Sequence, residues 1–239
     1  MTAREADIAA NKDVAGAERK PVIRPRDAAS LILLDRSGPR MRVLVGLRSS
    51  GHAFMPDTYV FPGGRCDPGD HALPYSSDFH PLVLDKLASI EKNRRTPRRL
   101  RALGLAAIRE LEEETGVVIG ADQGVDNRGV RKIAANLSCL RFVARAITPP
   151  RYNRRFDARF FCTFADEAGI DPSALRASRE LHDLQWIEFD NISDVNMPDI
   201  TQWILADVGR LLQQDPSLPY GRPVSFYFNR RGQHVRLSI

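Results

Sequence analysis

The densest chemistry in the chain lies in Arg109-Glu110-Leu111-Glu112-Glu113-Glu114-Thr115-Gly116-Val117, where four acids fall within five positions. On a helix, Glu110, Glu113 and Glu114 share one face, because positions i, i+3 and i+4 are neighbours. Acids at the C-terminal end of a helix oppose its macrodipole, and like charges this close cost about 0.2–0.5 kcal/mol per pair. A cation would offset that repulsion, and a group of hard carboxylate oxygens suits Mg²⁺ or Mn²⁺. The alternative for a bare charge run is a solvated acidic face. The spacing, the glycine and the apolar residues after it favour the metal. A second stretch, Pro62-Gly63-Gly64, joins a proline that fixes one φ to two glycines that let backbone approach a ligand closely.

The elements that must position these residues follow from the pattern of apolar side chains. Leu105, Ile108 and Leu111 form a separate face that anchors the acidic helix. Gly116 is a left-handed cap, and Val117–Ile119 then read as a strand. Upstream, Ala28–Leu34 and Met41–Leu47 are strands flanking the turn formers Asp35 to Pro39, and Tyr59–Phe61 is a short strand. Leu82, Leu84, Leu87 and Ile90 predict a helix over Pro81–Asn93. Downstream, Ala121–Gly129 reads as irregular, Val130–Asn136 as a short helix, and Cys139–Ile147 as a strand stopped by Thr148-Pro149-Pro150. Arg151–Asp157 is a basic loop, Ala158–Ala165 and Leu184–Phe189 are strands, and Ile200–Gln213 is an amphipathic helix. Val224–Leu237 has the pattern of a hairpin turned at Asn229–Gln233. This order predicts an α+β fold, an α-β-α sandwich with a mixed β-sheet between helices.

Composition narrows the classes. With 239 residues, 43% hydrophobic and 27% charged, the chain is an ordinary globular protein, and it has no apolar run long enough for a transmembrane helix. The net charge of +5 suits anionic ligands without demanding nucleic acid. Arg94, Arg95, Arg98, Arg99 and Arg101 form a basic run, but no aromatics interleave with them to stack single-stranded bases. Cys66, Cys139 and Cys162 are widely spaced and odd in number, which fits a reducing, cytoplasmic setting. Residues 1–24 read as a flexible tail without a secretory h-region, and 25–239 as one domain. Trp186 and Trp203 read as packing residues.

These motifs resemble the Nudix hydrolases. The family signature runs Gly, five residues, Glu, seven residues, then Arg-Glu-aliphatic-any-Glu-Glu-any-Gly-aliphatic. Arg109 through Val117 match its second half in full, and Gly64 followed by Asp70 matches the first, with Asp for Glu. Between Asp70 and Arg109 lie 38 residues, 31 more than in the family pattern, so the box looks interrupted by a helical insertion over about 71–101. That excursion is expected to fold away to one side and leave the two halves adjacent. The interruption is similar to that of the coenzyme A diphosphatase (Nudix-type motif nineteen-like) branch. So are Pro25–Ser30, Phe54-Met-Pro, Tyr59–Gly64, Ile147–Pro150 and Arg154–Asp157. Arg48-Ser49 of that branch's upstream signature is kept, but Ala53 stands where Arg is expected and Asp57 where Gly is.

The resemblance implies a metal-dependent diphosphatase acting on a small nucleoside diphosphate derivative, such as coenzyme A or an acyl-coenzyme A. ADP-ribose or another nucleotide sugar is the alternative substrate, and a non-catalytic nucleotide-sensing module the alternative function. Neither a nucleic-acid nor a membrane partner is implied, and a homodimer is compatible. By resemblance, Glu110, Glu113 and Glu114, with the Gly63 carbonyl, hold Mg²⁺ or Mn²⁺, and Arg109 orients a helix glutamate. Glu180, six residues before Trp186, is the candidate for a further catalytic carboxylate from outside the box, or else a surface acid. Asp157 and Asp166 are weaker choices. Arg48, Gly64, Arg151, Arg154 and Arg155 are the expected substrate contacts, and Phe54 could stack on a base or belong to the core.

Overall fold

The computed structural model describes residues 23–51, 55–90, 96–125 and 131–239. Strand β1 (Arg26–Asp35) is the spine of the larger sheet. Its Ala29, Leu31 and Leu33 enter one core and its Ile32 and Leu34 another. That alternation is the period-2 consequence of a strand buried on both faces. Around it lie β2 (Arg42–Arg48), β3 (Tyr59–Val60), β4 (Gly63–Arg65), β8 (Arg141–Ile147), β9 (Phe156–Phe164), β10 (Leu181–Glu188), β11 (Ser225–Arg230) and β12 (Gln233–Ser238). The order is β10-β2-β1-β9-β8-β11-β12, with β3 paired to β2 and β4 to β1. The β1–β9 and β8–β11 pairs are parallel and the other pairs antiparallel, so the sheet is mixed, as expected.

Helices cover both faces. Helix α2 (Pro97–Thr115) begins at a proline, which has no N–H to leave unpaired. It ends at Gly116, whose φ of 74° is the expected left-handed cap. Its Leu103, Ala107 and Leu111 join Leu31 and Leu33 in one core. On the opposite face, α3 (Asp199–Gln214) buries Ile204, Leu205 and Val208 against Ile32, Val43 and Val45. The result is the predicted α-β-α sandwich. Among the described residues no helix is long and apolar enough to cross a membrane.

Three local expectations are corrected. Residues 131–136 form strand β7 (Arg131–Asn136), not a helix, in a second sheet of order β5-β7-β6 with β5 (Tyr75–Ser77) and β6 (Gly120–Val125). Pairing on two sides outweighs a short apolar run that suits either structure. Val117 and Ile119 are buried in the core, and the strand begins only at Gly120 and runs to Val125, into the stretch read as irregular. The short strand ends before Pro62 as expected, and Gly63–Arg65 resume the sheet as β4 against β1. The segment between the two halves of the motif is no side excursion. Its helix α1 (Pro81–Ile90) buries Val83 and Leu87, and with Phe79 they belong to the main core beside Leu103 and Phe161.

Candidate active site

Two elements carry the acidic side chains to β4. Across the 38-residue separation, Arg109 Nε donates to Asp70 Oδ1 at 2.8 Å, and its Nη2 donates to Asp70 Oδ2 at 3.3 Å and to the Arg65 carbonyl at 3.1 Å. Asp70 sits in a 3₁₀ turn (Pro68–Ala72), 1% exposed, and also accepts the Asp67 N–H at 2.7 Å. The same arginine holds Glu110 at 3.0 Å and Glu113 at 2.9 Å through Nη1. Burial works against the Arg109 charge, but the hydrogen bond to Asp70 and the charges of Glu110, Asp70 and Glu113 outweigh it and raise its pKa. The two halves of the motif are therefore adjacent, joined by one guanidinium.

The glycines do separate work. A Cβ on Gly64 would lie 2.4 Å from Glu110 Oε1, so the absence of a side chain makes room for that carboxylate. A Cβ on Gly63 would meet the backbone of β1 instead, 2.6 Å from the Ala29 carbonyl oxygen and 2.6 Å from Ser30 Cα. The Gly63 N–H donates to Glu114 Oε2 at 2.9 Å. Glu114 is 7% exposed, and burial, with the charges of Glu110 and Glu180 nearby, pushes its pKa up to about 8 against the Gly63 hydrogen bond and Arg48. Glu110 is also raised, first by burial, against the pull of Arg109.

Glu180 reaches this group through strand register. Leu181 of β10 pairs with Arg48 of β2, and the Ser49 N–H donates to the Glu180 carbonyl at 3.2 Å. Arg48 lies within electrostatic reach of Glu114, Glu110 and Glu180, whose charges oppose the lowering of its pKa by burial. Asp157 and Asp166 are elsewhere. Asp157 is bound by Arg145 at 2.7 Å and Arg159 at 3.1 Å, and Asp166 by Arg36 at 2.8 Å. Neither lines the cleft.

That cleft, of about 1580 Å³, is lined by Arg48, Gly63, Gly64, Glu110, Glu113, Glu114 and Glu180 on one side and by Arg151, Arg154 and Arg155 on another. Of the three loop arginines, Arg155 is committed to structure, donating to the Thr148 carbonyl at 3.0 Å and the Ile23 carbonyl at 2.6 Å. Arg151 lies over the Tyr152 ring, 5.5 Å from its centroid, and Arg154 is exposed. In the basic run, Arg101 is held by Asp78 at 2.6 Å and Arg98 by the His71 carbonyl at 3.1 Å. Phe54, Ala53, Arg94, Arg95 and residues 1–22 lie outside the described residues. The cleft also has a wall from α3 and the C-terminal hairpin, including Trp203, Asp207, Tyr227 and His234, which the sequence did not point to.

The donor set fits a hard divalent cation in chemistry: four carboxylates line one side of the cleft, and burial, with the nearby charges of Glu110 and Glu180, pushes Glu114 toward its neutral form. Among the described residues, no three potential ligands converge closely enough to hold an ion as the side chains stand. Glu110 and Glu113 instead rest on Arg109, and a cation would exchange those contacts for its own.

Comparison with solved structures decides the fold. A Nudix hydrolase from Alicyclobacillus acidocaldarius superposes with a TM-score of 0.56 over 78% of this chain and 91% of that one, at 22% identity. The chain has the Nudix fold. A second structure, the Nudix hydrolase RenU of M. smegmatis, aligns more loosely, with a TM-score of 0.46 over 80% of this chain and 88% of that one, at 15% identity. In sequence, the chain is 27% identical over 182 residues to a curated Nudix hydrolase (number 7) of Caenorhabditis elegans, covering 68% of this chain. It spans about half, 51%, of that relative's length. No protein-family model matches the chain. The superposition and the sequence similarity both lie within the Nudix hydrolase superfamily.

Proposed function

We propose that the chain is a metal-dependent Nudix hydrolase that cleaves the diphosphate linkage of a nucleoside diphosphate derivative. The observation that carries this reading is the single cleft in which four glutamates and several arginines face a common space. Carboxylates there suit a cation, arginines suit phosphate oxygens, and diphosphate hydrolysis requires both.

In this reading Glu110, Glu113 and Glu114, with Glu180 and the Gly63 carbonyl, would hold Mg²⁺ or Mn²⁺. Bound there, such an ion supplies charge to the phosphoryl oxygens and acidifies a water. The protein's own residues set the stage. Arg109, fixed by Asp70 and the Arg65 carbonyl, positions Glu110 and Glu113. The Gly63 N–H anchors Glu114. Arg48 neutralises part of the charge of Glu110, Glu114 and Glu180, while Arg151 and Arg154 receive phosphate oxygens from the opposite side. Water attack on one phosphorus breaks a P–O bond of the diphosphate and leaves a phosphate ester and a second phosphorylated product.

Coenzyme A or an acyl-coenzyme A is the leading substrate class, resting on Arg48-Ser49 and the other branch-like stretches. Ala53 and Asp57 depart from that pattern, and the missing cation keeps ADP-ribose-like diphosphates in view. A panel of diphosphates assayed for phosphorylated product with Mg²⁺ or Mn²⁺ decides between them. Glu113→Gln with Glu114→Gln should abolish turnover while leaving the thermal melt cooperative. Full activity in that double variant would sink the assignment.

A further inference from the structure

The wall that the sequence did not point to has a chemistry of its own. Trp203, on α3, is 39% exposed, unusual for a residue of that size, and it lines the cleft. Its ring lies 6.1 Å from that of Tyr227 at 25° and 5.6 Å from that of His234 at 73°. These are the offset and edge-on arrangements that aromatic groups favour. Beneath them Asp207, 7% exposed, accepts from the hydroxyls of Tyr227 and Ser225 and from Arg236 Nε at 2.8 Å. Arg210 pairs with the same carboxylate. Tyr227 is therefore held in place before any ligand arrives, with two arginines beside it.

Its distance from the glutamates is fixed by the sheet. Ala28 pairs with Ala158, Ala158 with Ala146, and Ala146 with Tyr227, so a lane floored by alanine runs from β1 to β11. These four residues line the same cleft as the acidic group. From β4, beside Glu110, to Tyr227 is four strand spacings, roughly 19 Å. A base, its ribose and two phosphates laid end to end fit that span.

We propose that Trp203, Tyr227 and His234 form a subsite that stacks the base of the substrate, at the far end of the lane from the acidic group. This deepens the diphosphatase reading and rests on it for the phosphate end only. Trp203 supplies the exposed ring face, Tyr227 fixes its tilt and His234 closes the edge. Arg210 and Arg236 keep the surroundings cationic against the Asp207 charge.

Binding of AMP in EDTA, by calorimetry, tests the subsite without turnover. The wild type should bind AMP more tightly than ribose 5-phosphate. Trp203→Leu should weaken AMP binding roughly 5- to 100-fold, the size of one stacked base, and Trp203→Phe should restore most of it. His234→Ala, at an exposed position, should weaken AMP binding in the same direction if Trp203→Leu fails to fold. Equal binding of AMP and ribose 5-phosphate by the wild type would overturn the proposal, as would unchanged AMP affinity in a folded Trp203→Leu. Base-dependent binding in a protein that turns over no diphosphate would uphold the subsite and remove the catalytic reading. Turnover without base-dependent binding would do the reverse.

Discussion

Replacing Gly64 by alanine separates the chemistry of the candidate site from the stability of the fold. The added methyl carbon would lie 2.4 Å from Glu110 Oε1, 2.5 Å from its Cδ and 2.7 Å from its Oε2, whereas ordinary contact begins near 3.4 Å. The carboxylate must retreat by about 1 Å, and displacement of a catalytic group on that scale costs on the order of 100-fold in rate. The obstructing atoms are the free end of a side chain, and Gly64 is not among the residues with positive φ, so the backbone itself accepts alanine. Loss of glycine's freedom in the unfolded chain would even add about 0.4–1 kcal/mol of stability, offsetting part of the cost of moving Glu110. The expected outcome is a kcat near one hundredth of wild type with a melting temperature within a few degrees of it. Gly63→Ala is the contrasting variant. Its methyl meets the β1 backbone, so it should lower stability by about 1–3 kcal/mol or more through overpacking, visible as an earlier melt. Unimpaired turnover by Gly64→Ala at saturating Mn²⁺ would refute the idea that Glu110 needs the space over Gly64.

Other outcomes follow from the same geometry. Asp70→Ala should cost about 2–3 kcal/mol in urea denaturation. That is below the ~3–5 kcal/mol of a fully buried pair, because Arg109 keeps Glu110, Glu113 and the Arg65 carbonyl. A loss under ~0.5 kcal/mol would show that the pair does not hold the two halves together. The raised pKa of Glu114 means that the metal-free folded protein binds more protons than the unfolded chain between the ordinary 4.5 and about 8. Metal-free stability should therefore fall as pH rises through that window. Apparent Mn²⁺ affinity should climb by up to about tenfold per pH unit and flatten above about pH 8, a trend that calorimetry at several pH values would detect. Arg154→Ala should raise KM for the diphosphate severalfold with no change in melting. Arg155→Ala should instead lower stability by about 1–3 kcal/mol through two lost carbonyl contacts, and equal effects of the two variants would contradict their separate roles.

What could be read in advance was local. The spacing within Arg109–Val117 specifies a helix face and a cap, and both stand in α2 and Gly116. Ala28–Leu34 reads as a strand, and β1 is one, buried on both faces. The placement of Glu180 beside Arg48 depends on the β2–β10 register, which no short window encodes. The same holds for β7, whose apolar residues fit a helix until β5 and β6 pair with it. Trp203 reads as packing from its residue type, yet it is 39% exposed while the adjacent Ile204 and Leu205 are buried. Its aromatic neighbours come from strands that reach it through the parallel β8–β11 pairing, a long-range event. Asp70 was legible as a motif position, but its pairing with Arg109 emerges only when 38 intervening residues return to their starting point.

That return has a consequence for the architecture. Because one guanidinium clasps Asp70, the Arg65 carbonyl and the helix glutamates, the two ends of the intervening segment are pinned irrespective of its length. The segment held between those ends is itself part of the fold. Phe79, Val83 and Leu87 now supply part of the hydrophobic interior, so trimming back to an uninterrupted motif would open a hole under the sheet.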